Sequence, residues 1–287
     1  MTGKEYEASL VDGRVLYFQG RRIEDFADEP AFAIPRQTVA AEYDEYYDPT
    51  PAAVNAALAP PRSVEELRGQ IPAFGRISLP LQFTYQAVMT LLVASQRMPE
   101  DSPELVERIG AFVEETKRSD IRVALCITDA KGDRTRPTSQ QDDPDLYVRV
   151  VRRRSDGVVI RGAKLHISAA PLVHELLVMP TKAMKAGEED WAIACAVAVN
   201  APGVRLINRT YHPLSGDVRD YPVSVRASMP ISFVVFDDVF VPYERVFLDG
   251  ATRYSAAFAH SLGLWVRLGE MAVLVDNADQ LVGLAQL

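Results

Sequence analysis

The chain reads as an α+β protein: a mainly helical N-terminal domain, a middle β-barrel or β-sandwich, and the start of a C-terminal helical bundle. Three observations carry that reading. Apolar residues recur at helical spacing through much of the first 120 residues, alternate with a period of two from residue 121, and return to helical spacing after Pro242. At least six short runs rich in Val, Ile, Leu and Phe, separated by turn signals, occupy the middle. The last 36 residues, 252–287, hold only five charges (Arg253, Arg267, Glu270, Asp276, Asp279), so that helix expects a partner surface. The expected boundaries are 1–120, 121–250 and 251–287.

The elements follow in order. Val15, Tyr17 and the Gln19-Gly20 pair predict a short hairpin ending in Arg21-Arg22-Ile23. Pro-rich connectors begin at Asp48 and Ala59. Ser63 with Glu66 three residues later is a capping box at a helix start. Residues 83–97 are apolar around most of a helix and predict burial. Ser102-Pro103 opens another helix with Leu105, Val106, Ile109 and Phe112 as its apolar stripe. Strand-like runs follow at 122–128, 145–154, 157–167, 174–181, 191–199, 204–209 and 232–242, with Ser155-Asp156-Gly157 turning the second into the third. After Pro242 a terminal helix carries Leu262, Leu264, Trp265, Leu268, Met271, Leu274 and Val275.

Composition excludes several functions. With 287 residues, 48% hydrophobic and 24% charged, the chain is globular and long enough for about two domains. A net charge of −8 argues against bulk attraction to nucleic acid or an anionic membrane. Two cysteines, Cys126 and Cys195, and four histidines make no disulfide framework and no zinc spacing, so no metal site is expected. Both cysteines lie in apolar strand-like runs and read as buried thiols. No signal peptide and no unbroken apolar span of about 18 residues appear, which predicts a cytoplasmic protein without a membrane segment.

Sharper signals lie in three places: the opening Thr2-Gly-Lys-Glu-Tyr-Glu with Asp12-Gly-Arg; the middle stretches Thr128-Asp-Ala-Lys-Gly-Asp-Arg, Asp143-Pro-Asp-Leu-Tyr-Val-Arg and Asp156-Gly-Val-Val-Ile-Arg-Gly-Ala-Lys; and Val235-Phe-Asp-Asp-Val-Phe-Val-Pro-Tyr-Glu-Arg. Together they resemble the flavoprotein family of 4-hydroxyphenylacetate 3-monooxygenases and 4-hydroxybutyryl-CoA dehydratases, whose fold is acyl-CoA dehydrogenase-like. The resemblance implies FAD between the β domain and the helices. It also implies reduced flavin supplied by a separate flavin reductase, an aromatic or acyl-CoA substrate, and a homo-oligomer. The flavin contacts it implies are Leu125, Cys126, Ile127 and Thr128, then Lys131, Gly132, Asp133 and Arg134, with Ser168 later.

The residues themselves support an anion site in that loop. Lys131, Arg134 and Arg136 lie within six residues of one another, and Gly132 lets backbone N–H groups approach a diphosphate. Thr128, Thr135, Thr138 and Ser139 add hydroxyls, while Gln140 and Gln141 are in reach of a flavin ring edge. The competing reading is a solvated connection in which Asp129 and Asp133 balance two cations.

Reactive groups are harder to place. The Arg, Tyr and His that the family's monooxygenases use fall by ungapped placement on Pro80, Thr84 and Leu125. None of the three supplies a base for a phenol. Tyr85, one residue on, and His174, which precedes a strand, are the candidate catalytic residues, though His174 also reads as a polar strand start. The dehydratase cysteines are missing from residues 75–82, so an iron–sulfur cluster is not expected. His166 is a candidate for the flavin pocket, and His212 and His260 read as structural. The arginines at 149, 152, 153 and 154 read as a solvated strand end, and the acidic-aromatic run 42–48 as a helix face.

Two functions follow: a flavin-dependent monooxygenase or related oxidoreductase, or a non-catalytic or split half-enzyme working with a separate helical partner. The second rests on the apolar pattern running uncapped to Leu287, which reads as a truncated bundle.

Overall fold

The computed structural model describes residues 1–50, 53–98, 102–211, 217–226 and 228–287. Pro51 of the first Pro-rich connector and His212 lie outside them. Helix α1 (Gly3–Ser9) opens on a capping box, with Glu5 N donating to Thr2 Oγ1 (3.2 Å) and Thr2 N donating to Glu5 Oε2 (2.7 Å). A hairpin, β1 (Leu16–Phe18) and β2 (Arg21–Ile23), turns on Gln19 and Gly20, both at positive φ as a two-residue type I′ turn requires. Helices α2 (Ala33–Glu45), α3 (Val64–Gln70), α4 (Leu79–Gln96) and α5 (Pro103–Arg118) complete the helical part. Ser63 Oγ accepts from Glu66 N (3.1 Å), as the capping box predicts. The buried stripe of α5 is Ile109, Phe112, Val113 and Thr116, whereas Val106 is exposed; the packed face is centred one turn later than the sequence pattern suggests.

Two sheets stack in the middle. One has six strands in the order β2-β1-β8-β9-β5-β4 and the other four, β10-β7-β6-β3. The strands are β3 (Val123–Cys126), β4 (Arg149–Arg153), β5 (Gly157–Ser168), β6 (Glu175–Val178), β7 (Ile193–Ala198), β8 (Val204–Arg209), β9 (Ile231–Pro242) and β10 (Val246–Asp249). All seven strand-like runs are strands, and β10 is an eighth that the sequence reading did not separate from the terminal helix. The N-terminal hairpin joins the larger sheet through parallel pairing of β1 with β8, Leu16 opposite Leu206. Helices α1 and α2 pack on the same core, with Tyr6 stacked on Tyr43 at 4.7 Å and its hydroxyl donating to Leu172 O (2.8 Å).

The smaller sheet is buried on both faces, which explains its unbroken apolar runs. Along β6 and β7, Leu176, Val178, Ile193, Cys195 and Val197 face the larger sheet, while Leu177, Ala194 and Ala196 face α4, α5 and the C-terminal helix. Cys126, Val178 and Cys195 share one register row, so both thiols are buried and free with a strand between them.

The C-terminal helix α6 (Thr252–Ala285) runs along α4. Its first half buries Tyr254, Phe258 and Leu262, but Leu264, Met271, Leu274, Val275, Leu281 and Leu284 remain exposed. The expectation of no possible membrane span is corrected in one respect: by length and composition α6 is long and apolar enough to cross a bilayer, because its few charges leave an adequate window. Its half-buried packing on α4 is equally that of a core helix. The run 42–48 is also more than a surface face. Glu42 is buried and accepts from Ser78 N (2.5 Å) and Ser78 Oγ (2.6 Å) at the N-cap of α4, and Arg122 lies 3.8 Å from the Tyr43 ring centre.

Candidate functional site

The loop after β3 is anchored by a buried ion pair. Lys164 Nζ lies 2.7 Å from Asp129 Oδ1 and also donates to the carbonyls of Ile127 (3.0 Å) and Met179 (2.9 Å). Thr181 Oγ1 reaches Ile127 O at 3.1 Å and the Asp129 carboxylate as well. All donors of the ammonium are thereby satisfied, the condition for keeping such a charge in a protein interior. The chain beyond this anchor, residues 130–137, turns sharply. Lys131 (φ 73°) and Gly132 (φ 50°) are consecutive left-handed residues, and a Cβ on Gly132 would collide with Gln141 Oε1 and Leu146 Cδ1. The Gln141 amide then holds the turn, accepting from Asp133 N (2.9 Å) and donating to Asp133 O (2.8 Å).

The opposite wall is the segment after β6. Glu188 ties it down, accepting from Thr138 N (2.6 Å) and Lys185 N (2.9 Å), with Lys182 Nζ 3.5 Å away. Burial opposes ionisation of Glu188, but those bonds and Lys182 hold its pKa below the usual glutamate value. Met184 N donates to Ser255 Oγ (2.7 Å), which docks the segment on α6.

Two adjoining clefts open between these walls and share Lys182. One, of about 430 Å³, is lined by Arg134, Thr135, Arg136, Ser139, Gln140, Lys182, Lys185 and Glu188. The other, of about 670 Å³, is lined by Arg97, Thr181, Lys182, Ala183, Ala259, His260, Gly263, Leu264 and Arg267. Six cationic side chains thus line the pair against one buried carboxylate, in a chain whose net charge is −8. Such a concentration suits a diphosphate or another polyanion. Arg136 is already engaged by Asp133 (3.4 Å) and Asp142 (2.7 Å), whereas Arg134 has no carboxylate at ion-pair distance among the described residues. A third cleft, of about 260 Å³, lies between α1 and the hairpin, but its two arginines are consumed by the fold. Arg14 donates to Pro171 O and Val173 O, and Arg36 to Phe26 O and Ala27 O.

The expected flavin contacts meet this site unevenly. Arg134 lines the cleft itself. Lys131 and Gly132 shape its turn, and Asp133 spends its carboxylate on Thr135, accepting from N (2.9 Å) and Oγ1 (2.7 Å). Leu125, Cys126, Ile127 and Thr128 lead into the loop; Ile127 O and Thr128 O are committed to Lys164 and Leu165 N, and burial pushes the Cys126 thiol up to about 12. Ser168 sits four residues past Lys164 on β5, beside Ile231, and lines neither cleft. The bulge between Lys164 and Ile167 puts His166 at the surface, in the left-handed region.

Neither candidate catalytic residue borders the clefts. Tyr85 donates its hydroxyl to Gln70 Oε1 (2.9 Å) within an aromatic cluster of Phe74 and Trp265, and burial raises its pKa to about 12. His174 stands at the start of β6, the opposite end of the β3–β6 pair from the loop. Its Nδ1 accepts from Arg122 N (2.9 Å) and its Nε2 meets Ser9 Oγ (2.8 Å). Burial, then Arg14 and Arg122, lower its pKa to about 4, so it is a neutral bridge at neutral pH. Pro80 caps the first turn of α4, and Thr84 Oγ1 donates to Pro80 O (2.6 Å) and accepts from Val123 N (2.9 Å), so these two positions carry backbone bonds.

Thr181, Lys182 and Lys185 escaped the sequence reading, although the Thr-Lys-Ala-Met-Lys run was a visible basic signal. Arg97, His260 and Arg267 come from helices remote in sequence. His260, read as structural, borders the second cleft. The arginine cluster is paired as expected: Arg149 with Asp145, Arg153 with Asp190 and Asp249, Arg154 with Asp156.

The comparison that decides the relationship is a family model described as 4-hydroxyphenylacetate 3-hydroxylase N terminal, which matches residues 2–248. The chain belongs to this family. A 4-hydroxyphenylacetate 3-monooxygenase oxygenase component from Geobacillus sp. (strain PA-9) is 29% identical over 270 residues, covering 87% of this chain and 55% of the relative. A 4-hydroxybutyryl-CoA dehydratase/vinylacetyl-CoA-Delta-isomerase from Clostridium aminobutyricum is 27% identical, covering 100% of this chain and 64% of that protein. The solved structure of a 4-hydroxyphenylacetate 3-monooxygenase oxygenase component complexed with FAD superposes with a TM-score of 0.79 at 27% identity, over 95% of this chain and 61% of that one. An archaeal 4-hydroxybutyryl-CoA dehydratase shares the fold, with a TM-score of 0.81 at 24% identity. The acyl-CoA dehydrogenase-like architecture of helices, β domain and C-terminal helix is therefore that of the family. This chain spans a little more than half the length of these relatives.

Proposed function

We propose that this chain binds FAD in the two clefts that meet at Lys182 and serves as the flavin-holding part of a reduced-flavin oxygenase. The carrying observation is the cationic lining set beside the strained Gly132 turn. Arg134, Lys182 and Lys185 fit a diphosphate by charge and donor geometry. Thr181 and the backbone of residues 127–132 stand at the junction with the second cleft, whose mixed lining of Ala259, Gly263 and Leu264 with Arg97 and Arg267 suits a ring system that is apolar on its faces and polar at its edges. Bound reduced flavin would supply the electrons for dioxygen activation. The chain's own part is to hold the cofactor and to exclude water with the α6 wall. The oxygenase-component names of the relatives support a separate reductase as donor and a small organic substrate, and a cytoplasmic setting accords with that chemistry.

A dehydratase reading needs an iron–sulfur cluster, and these residues do not fit one. The chain has only two cysteines, both buried in the smaller sheet with Val178 between them, and no group of three potential ligands exists among the described residues. Direct titration of the chain with FAD, with Arg134→Ala as comparison, tests the proposal.

A further inference from the structure

Between α4 and α6 lies a polar seam that the flavin reading does not use. The helices run antiparallel. Gly269 faces Gln82 and Gln86, Tyr85 meets Trp265 edge to face at 6.0 Å, and Arg97 shares a cleft with Ala259 and His260. Steps of four residues then bring Gln86 opposite Trp265 and Thr90 opposite Ser261. Gln86 is 1% exposed and Thr90 and Ser261 are 0% exposed, yet Gln86 Oε1, Thr90 Oγ1, Ser261 Oγ and Trp265 Nε1 all lack a hydrogen-bond partner. Four such atoms in one row are unusual, because each buried polar atom without a partner costs the desolvation that folding imposed on it. Gly269 keeps the row open at one end: a Cβ there would lie 2.5 Å from Gln82 Nε2. At the other end Ser261 adjoins His260, a wall of the second cleft.

We infer that this seam is a binding subsite for an uncharged group that both donates and accepts hydrogen bonds, a neutral hydroxyl or carboxamide, carried on a ring that enters from the second cleft. The inference rests on the flavin reading for its route of entry only. An acceptor atom on the guest takes the Trp265 Nε1 proton, and its donor goes to Gln86 Oε1, with Thr90 and Ser261 completing the set. No charged side chain belongs to the row, so an anionic guest would be buried without a counter-charge and is rejected.

The probe is benzamide, with benzoate as its isosteric anion, titrated into the full chain while the indole N–H resonance of Trp265 is followed. The chain has two tryptophans, so Trp191→Phe assigns the signal. A saturable shift with benzamide is expected. Binding should weaken about tenfold in Thr90→Val/Ser261→Ala and be at least about tenfold weaker for benzoate, the scale of one lost hydrogen bond or more. Both substitutions keep the side-chain volume, and an unchanged melting curve reports an intact fold. No saturable shift, equal response to amide and anion, an unaltered double variant, or an indole proton that exchanges magnetisation with water alone would each overturn the inference. Flavin fluorescence in the same samples separates the two readings. Intact FAD binding beside a silent indole removes the seam and spares the flavin site; absent FAD binding beside a saturating indole does the reverse.

Discussion

Lys164 Nζ and Asp129 Oδ1 are 2.7 Å apart, with each side chain 2% exposed, and this pair fixes where the cationic loop leaves the β domain. Removing one partner strands the other charge in the interior. Lys164→Met should therefore destabilise the chain by about 3–5 kcal/mol in urea unfolding. Adding Asp129→Leu to Lys164→Met should recover most of that loss, since the lone carboxylate is what costs.

Gly132 makes a second, local prediction. Its φ of 50° follows Lys131 at 73°, and the space a Cβ would need is filled by Gln141 and Leu146. Gly132→Ala should cost about 1–2 kcal/mol from the backbone alone, more with the collision, and should weaken anion binding by displacing the turn. Differential scanning calorimetry and an FAD titration on the same variant check both halves.

The neighbours His174 and Glu175 make the pH dependence two-sided. The folded pKa of His174, about 4, lies below its ordinary 6.5. Its bonds therefore contribute fully above pH 6.5, and stability falls as the pH drops from there toward 4. That loss amounts to about 3 kcal/mol if the shift is realised in full. Glu175 behaves oppositely: burial, only partly offset by Arg245 and reinforced by Glu115, raises its pKa to about 7. The protonated form is favoured in the fold, so this contribution is present below pH 4.5 and is lost as the pH rises through 7. Glu175→Gln should accordingly match the parent at pH 4 and exceed it in melting temperature at pH 8. His174→Asn should flatten the acid limb of the curve. A Glu175→Gln variant less stable at pH 8 would refute the assignment.

Much of this was legible locally. Ser63 with Glu66, Gln19-Gly20 and Ser155-Asp156-Gly157 are signals whose partners lie within a few residues, so caps and hairpins could be read directly. Strand β10 was missed because four residues after Pro242 are too few to show a period before α6 begins. The site was legible only on the side carried by one continuous loop. Lys131, Gly132 and Arg134 were found, but Arg97 and Arg267 reach the cleft from helices some 170 residues apart in sequence, and no spacing rule joins them. His174 attracted attention as an imidazole beside a carboxylate. What decides its state is the Arg122 amide and the Ser9 hydroxyl, 52 and 165 residues away in sequence. Ser168 was carried over by alignment, and the bulge between Lys164 and Ile167 takes it away from the loop.

The central claim is that the clefts meeting at Lys182 hold FAD, and its most direct test is a titration of the purified 287-residue chain with oxidised and reduced FAD, read by flavin fluorescence or calorimetry. The account predicts saturable binding in the micromolar range, weakened about tenfold by Arg134→Ala through loss of one charge-assisted contact. An absence of binding at about 100 µM, or an affinity indifferent to Arg134, would contradict it.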